Sequence, residues 1–298
     1  MALIFVLIDG VGLAPAAPYN PVAAGLPRLM RVLGAPLTHA LAVRSAMTHA
    51  APIDATLGVD GLPQSGSGHA AIYGGYNAAA ANGRHQPTYP TVAMRESLAR
   101  HNVFLAATQA GCRVAWANAY LPGYEEAIAR RRLRHTAGTW AALAAGLELR
   151  GVDHVAAGTA LTWDITQQLA RTRPGATQLP AIAAGEAGAR LARLARAHNL
   201  VAFETYVPDL AAHGRLSMPL EEALDQVDGL LAGVVAAMSH ADTLVVTSDH
   251  GNSEDTRTRA HTRNPVPLLA IGAAADRFQA VCSIDQVAGA ILHALAQG

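Results

Sequence analysis

The chain contains no lysine; all 22 of its basic residues are arginine. That absence excludes Schiff-base lysine chemistry, pyridoxal-phosphate enzymes of the usual kind, and the Walker phosphate loop, which needs a Gly-Lys pair. Cysteine is almost as scarce. Cys112 and Cys282 stand far apart and form no Cys-x-x-Cys pair, which argues against a disulfide scaffold and against a thiolate zinc site. Aromatic residues make up only 5% and charged residues 15%. Acids and bases both number 22, so the zero formal charge provides no footprint for nucleic acid or for an anionic membrane surface. No apolar run reaches the ~18 residues of a membrane span, and residues 2–8 lack the basic flank of a secretory leader. The expectation is a soluble, cytoplasmic chain whose partner is a small molecule, with no nucleic acid and no membrane; no oligomeric state follows.

Hydrophobic residues are 51% of 298, enough for a large α/β core carrying a smaller domain. Residues 2–8 form an unbroken apolar run ending in Asp9-Gly10, the pattern of a parallel strand buried on both faces. Similar runs occupy 200–206, followed by Asp209, and 243–247, followed by Ser248-Asp249-His250-Gly251. A fourth, 266–272, carries Pro267, which suggests an edge or a strand start. Ala- and Leu-rich stretches at helical spacing lie at 183–198, 220–238 and 284–296. This alternation predicts a mainly parallel sheet between helices. Strand signals weaken from 84 to 198, where arginines cluster. The predicted division is a discontinuous core, 1–83 with 199–298, and an inserted lid, 84–198; the helix at 95–110 and the strand at 113–117 fit either part.

Parallel sheets place ligands beyond the carboxyl ends of their strands, where acids and histidines collect in this chain. Asp249-His250 and His261 make a mixed nitrogen and oxygen ligand set suited to zinc, manganese or similar divalent ions. Asp209 and His213, four residues apart, share one face of a helical turn. Asp9 ends the first strand. Residues 61–69, Gly-Leu-Pro-Gln-Ser-Gly-Ser-Gly-His, lead into a helix that starts near Ser65, where amide donors and the dipole favour phosphate. The same serine would also serve as an ordinary cap in a glycine-rich turn. Together these are seven groups, more than one cation needs and enough for two.

Ile8-Asp9-Gly10, the Gly61–His69 segment, Pro208-Asp209 through His213, Thr247 through Asn252 and Ala260 through Pro265 occur in this order. In type, spacing and order they resemble the metalloenzyme branch of the alkaline phosphatase superfamily, in particular its cofactor-independent phosphoglycerate mutases. The resemblance covers about the first 80 and the last 100 residues. It implies an alkaline-phosphatase-like α/β core with a small inserted lid, and two divalent metals, Mn²⁺ foremost, with Zn²⁺ or Mg²⁺ as alternatives. It assigns Asp209, His213 and His261 to one metal, and Asp9, Ser65, Asp249 and His250 to the other. It also makes Ser65 the nucleophile that carries the phosphoryl group, with Ser67 as the runner-up. The implied activity is phosphohydrolase or phosphomutase chemistry on a small phosphorylated metabolite. A phosphodiesterase of the same superfamily and a non-catalytic metal-binding protein are the alternatives. The mutase's Asp-Gly-Arg-Asp motif and its active-site lysine are both missing, which points away from phosphoglycerate as the substrate.

Substrate-binding candidates come from the insert. Arg131, Arg132 and Arg134 lie in its densest basic run and offer forks for phosphate or carboxylate. Arg84 and His85 follow the serine-bearing helix, Asn118 ends a possible strand, and Trp163-Asp164 is a candidate lid lining. The histidines at 39, 49, 101, 198, 240 and 293 show no ligand spacing and read as structural.

Overall fold

The computed structural model describes residues 1–298. Seven strands form one sheet in the order β2-β3-β7-β6-β1-β5-β4. They are β1 (Leu3–Ile8), β2 (Val43–Arg44), β3 (Thr48–Ile53), β4 (Val114–Trp116), β5 (Leu200–Thr205), β6 (Thr243–Thr247) and β7 (Val266–Gly272). The pairs β1–β5, β1–β6 and β4–β5 are parallel, whereas β7 runs antiparallel to both β6 and β3. β1 is central because it is apolar on both faces. Leu3, Phe5 and Leu7 join one core cluster, and Ile4, Val6 and Ile8 join the other. The helices Ser65–Gly74, Val103–Gln109 and Val287–Ala296 cover the first face; Ala184–Ala195 and Leu220–Ala237 cover the second. No helix is long and apolar enough to cross a membrane.

Pro267 is the second residue of β7, the strand start that a proline allows, but β7 is not an edge. It lies between β3 and β6, and Pro267 stands opposite Pro52 of β3, so two residues without an N–H face each other. The stretch expected as one helix at 95–110 is two, Val92–Arg100 and Val103–Gln109, because the Asn102 side chain accepts from the amides of Phe104 and Leu105 and restarts the helix. β4 falls within 84–198 yet is the outer strand of the main sheet, and the two preceding helices contribute Met94, Leu98 and Phe104 to the main core. The portion of 84–198 with a small core of its own lies between Ala119 and Leu179, built from those two residues with Val155, Ala160 and Ala176.

The Ala184–Ala195 and Leu220–Ala237 helices cross at a contact with no room for side chains. A Cβ at Gly188 would overlap the Leu230 carbonyl, and one at Gly233 would overlap the Gly185 carbonyl. Gly188→Ala is therefore expected to cost about 1–3 kcal/mol, because the pair must spread apart. Urea denaturation checks this; an unchanged midpoint would contradict the close packing.

Candidate metal centre

Because β6, β1, β5 and β4 run in one direction, their carboxyl ends emerge together. β1 delivers Asp9, β5 leads through Tyr206 into the Val207–Ala212 helix with Asp209, and β6 delivers Asp249 and His250. Neighbouring strands sit about 4.8 Å apart, so these groups meet above adjacent strands. Gly10 makes the meeting possible. It has φ +76, and a Cβ there would lie 2.6 Å from the Asp209 Cβ.

Two donor sets result: Asp209, His213 and His261, and Asp9, Asp249 and His250. Within each, the ligating atoms lie within 4.8 Å of one another. In the first, His213 Nε2 is 3.1 Å from His261 Nε2 and 3.4 Å from Asp209 Oδ1, with His261 Nε2 to Asp209 Oδ1 at 3.7 Å. In the second, His250 Nε2 is 3.3 Å from Asp9 Oδ1 and 3.2 Å from Asp249 Oδ2. Ligands on one tetrahedral cation with bonds near 2.0–2.1 Å stand about 3.3 Å apart, so these spacings fit shared cations. The sets adjoin, with the His250 and His261 rings stacked at 3.7 Å between centroids. Ser65 Oγ lies 3.0 Å from His250 Nε2 at the first residue of the Ser65–Gly74 helix. All seven side chains named from the sequence are thus brought together.

The buried polar atoms are also what a pair of cations would satisfy. Asp9 Oδ1 and Asp249 Oδ2 are buried without a hydrogen-bond partner. His261 Nδ1 faces the Pro63 carbonyl at 2.8 Å; a carbonyl only accepts, so that nitrogen carries the proton and Nε2 presents its lone pair to the cluster. Burial lowers the pKa of His250 and of His213, which keeps both rings in the neutral form that a metal requires. Burial, then the charges of Asp249 and Asp209, push the Asp9 carboxyl well up. Burial acts the same way on Asp249, but His250 and His69 outweigh it and hold that carboxyl below its ordinary value.

Several supporting residues carried no such signal in the sequence. His69 Nε2 lies 3.3 Å from Asp9 and 3.2 Å from Asp249, and its Nδ1 is 3.5 Å from Glu204. Burial disfavours charge on His69, yet Asp249, Asp9 and Glu204 together raise its pKa well above the usual imidazole value. Asn252 Nδ2 donates to Asp209 Oδ1 at 2.7 Å and orients that ligand. Glu254, fully buried, accepts from the amides of Gly12 and Asn252, from Thr262 and from the Asn264 side chain, tying together the loops after β1 and β6 and the His261 loop. An acid five residues beyond Asp249 was the available signal. Arg215, two residues beyond His213, lines the cleft and has no ion-pair partner within reach.

The cleft has a volume of about 440 Å³, with Asp9, Ser65, His69, Asp209, His213 and His261 in its wall. Asp249 and His250 lie fully buried beneath it. Ser67 is fully buried too: its hydroxyl donates to the Gln64 carbonyl and accepts from the Gln86 amide, both at 3.1 Å. The other expected substrate residues scatter. His85 is buried behind the helix with Nδ1 3.4 Å from Ser67 Oγ, and Arg84 is exposed away from the cleft. Asn118 lines a second cavity, but its amide donates to the Glu204 carbonyl at 2.7 Å and accepts from the Glu204 N–H at 2.8 Å. Arg134 lines that cavity as well, Arg131 lines a third beside Arg95 and Trp140, and Arg132 lines none of the three. Trp163 lines the second cavity, while Asp164 is buried and caps a turn through the Leu169 amide.

Comparison with known proteins bears on the whole chain. The family model described as the metalloenzyme superfamily matches residues 1–297. The 2,3-bisphosphoglycerate-independent phosphoglycerate mutase of Coxiella burnetii is 31% identical over 104 residues, which is 32% of this chain and 20% of that protein. The enzyme of the same name from Desulforudis audaxviator is 41% identical over 97 residues, 30% of this chain and 19% of that protein. The matched segments thus span about one-fifth of those mutases. The solved structure of a cold-active alkaline phosphatase from the psychrophile Shewanella sp. superposes with a TM-score of 0.58 over 99% of this chain and 100% of that one, at 13% identity, so the two share a fold.

Proposed function

Because the chain belongs to the metalloenzyme superfamily, we propose that it is an enzyme that moves the phosphoryl group of a small phosphomonoester, using two divalent cations and Ser65 as the acceptor. One arrangement carries this reading. A serine hydroxyl at a helix N-terminus stands 3.0 Å from a buried imidazole, inside a cleft walled by two carboxylate–imidazole clusters. The phosphatase fold and the mutase names of the partial relatives support the reaction class, and the one-fifth overlap leaves the substrate to this chain's own residues.

Asp209, His213 and His261 would hold one cation, and Asp9, Asp249, His250 and Ser65 Oγ the other. Cations so held supply Lewis-acid stabilisation of a serine alkoxide and of the charge on the transferring phosphoryl group. The protein does the rest. Ser65 Oγ gives up its proton and forms a bond to phosphorus as the bond from phosphorus to the substrate's ester oxygen breaks; that oxygen leaves as the alcohol, taking up one proton for the one Ser65 releases. The Ser67 amide is taken by the Gln86 carbonyl, so the amides of Ser65 and Gly66, with the positive end of the helix dipole, would serve the phosphoryl oxygens. Water, or a second oxygen of the substrate, then takes the group from Ser65. Asn252 and the Pro63 carbonyl fix Asp209 and His261, so the ligands need not reorganise during transfer. His69, in the cleft wall, stands within ion-pair distance of the carboxylates of both Asp9 and Asp249.

Arg215 supplies a guanidinium to the cleft, and Arg215→Ala is expected to raise KM for a phosphomonoester about tenfold with a smaller effect on kcat. Steady-state kinetics check this, and an unchanged KM would remove Arg215 from substrate binding. The intermediate is tested by acid-quenching manganese-loaded enzyme during turnover of p-nitrophenyl phosphate and weighing the intact chain. The expected result is a phosphoryl adduct in wild type and in Ser67→Ala, and none in Ser65→Ala. An adduct that survives Ser65→Ala would place the nucleophile elsewhere.

A further inference from the structure

This chain is poor in aromatic residues, and they are unevenly spread. Four of its seven tyrosines, Tyr89, Tyr120, Tyr124 and Tyr206, line a single cavity of about 440 Å³ together with Trp163, one of three tryptophans. Of the nine aromatics elsewhere, six fill the core, namely Phe5, Tyr73, Phe104, Trp116, Phe203 and Phe278, and Tyr19, Tyr76 and Trp140 are partly buried at separate places. The five around the cavity are only partly buried, so part of each ring borders free space. Core packing would have closed off those parts, since burying them is worth more than leaving them open.

The cavity continues the metal cleft. Tyr89, Thr136 and Tyr206 belong to the walls of both. Tyr206 stacks on His69 with 6.2 Å between centroids and 16° between planes, and His69 touches Asp9 and Asp249. The shared wall is rigid: the hydroxyls of Tyr206 and Thr136 both donate to the buried carboxylate of Glu204. Across the space, Tyr120 and Tyr124 pair at 4.5 Å, and Trp163 pairs with Tyr206 at 6.0 Å. The volume suits a small ligand, and apolar walls beside a polar reaction centre are the usual form of such a pocket.

We infer that this cavity receives the alcohol part of the substrate, and that this alcohol carries an aromatic or flat heterocyclic ring. The ring lies among the tyrosines and Trp163 while the phosphate reaches Ser65 past Tyr206. This inference rests on the phosphoryl-transfer reading for its kinetic arm and is independent of that reading for its binding arm.

The kinetic arm compares 2-phenylethyl phosphate with ethyl phosphate on manganese-loaded enzyme, two esters of alcohols of similar acidity that differ by the ring. The expected kcat/KM ratio is at least about 20 in favour of the ring, the worth of one buried aromatic group. The ratio is expected to fall toward one in Tyr124→Ala and in Leu133→Asp, the second chosen because Leu133 is 42% exposed on the cavity wall and tolerates polarity without loss of fold. Equal kcat/KM values in wild type would overturn the inference and leave phosphoryl transfer standing. The binding arm follows tryptophan fluorescence during titration with 2-phenylethanol. A saturable change that disappears in Trp163→Phe is expected. Should neither ester turn over, that fluorescence change would still support the cavity's role and the failure would fall on the phosphoryl-transfer reading; no fluorescence change would overturn the inference.

Discussion

Ser65→Ala is expected to lower phosphomonoester turnover by at least about a thousandfold while leaving divalent cations bound. Of the hydroxyls in the cleft wall, that of Ser65 lies 3.0 Å from His250 Nε2, those of Thr136 and Tyr206 are tied to Glu204, and no cysteine or lysine stands there to replace Ser65. The cation beside it would keep Asp9, Asp249 and His250. Ser67→Ala is the matched control. It removes a hydroxyl two residues away that bonds to the Gln64 carbonyl and the Gln86 amide, so it is expected to cost about 1 kcal/mol of stability and little chemistry. Initial rates with p-nitrophenyl phosphate, set beside metal content, separate the two variants. Full activity in Ser65→Ala would end the nucleophile assignment.

Withdrawing the cations is expected to have an effect of the same order on activity and a large one on stability. Asp9 and Asp249 are buried beside one another above β1 and β6, and each has an oxygen without a hydrogen-bond partner. Without a cation, burial disfavours charge on Asp9, and Asp249 leans on His69 and His250; a bound cation would take up both unpartnered oxygens and so favour the fold. A site filled at a hundred times its Kd contributes about 2.7 kcal/mol, which for a chain of this length raises Tm by roughly 5 °C per site. Chelated protein is therefore expected to be inactive and to melt lower, and titration with Mn²⁺ to restore both. A Tm indifferent to chelation and to Mn²⁺ would contradict cation binding at these carboxylates.

What the sequence shows and what it hides follow from the same physics. β1, β5 and β6 are legible because a parallel strand buried on both faces must be an unbroken apolar run, and the acid ending each run stands at the sheet's carboxyl edge. β3 is not legible. Its Thr-His-Ala-Ala-Pro-Ile carries polar residues and a proline, and only its pairing with β7 makes it a strand. Pro267 stands at the start of β7, one of the two positions that a proline suggested, and the pairing with β3 removes the other, an edge. The seven clustered side chains could be named in advance because ligand chemistry limits the residue types and their spacing within each loop. Glu204, Glu254 and Tyr206 act through partners distant in the chain: Glu204 through Tyr73 and Thr136, Glu254 through Gly12 and Thr262, and Tyr206 against His69 and Trp163. No local spacing marks Glu204 or Tyr206, and Glu254 is marked only by standing five residues beyond Asp249. The arginine run at 130–134 is legible as charge but not as placement, since Arg134 reaches the aromatic cavity and Arg132 stays outside all three.

The central claim is that side chains from the start, middle and end of the chain hold two divalent cations side by side. Metal analysis of protein reloaded with Mn²⁺ and freed of excess ion tests it most directly, in wild type, Asp209→Asn and Asp249→Asn. The account predicts two equivalents per chain in wild type and about one in each variant, since each substitution empties a different set. Less than one equivalent in wild type, or two in both variants, would contradict it.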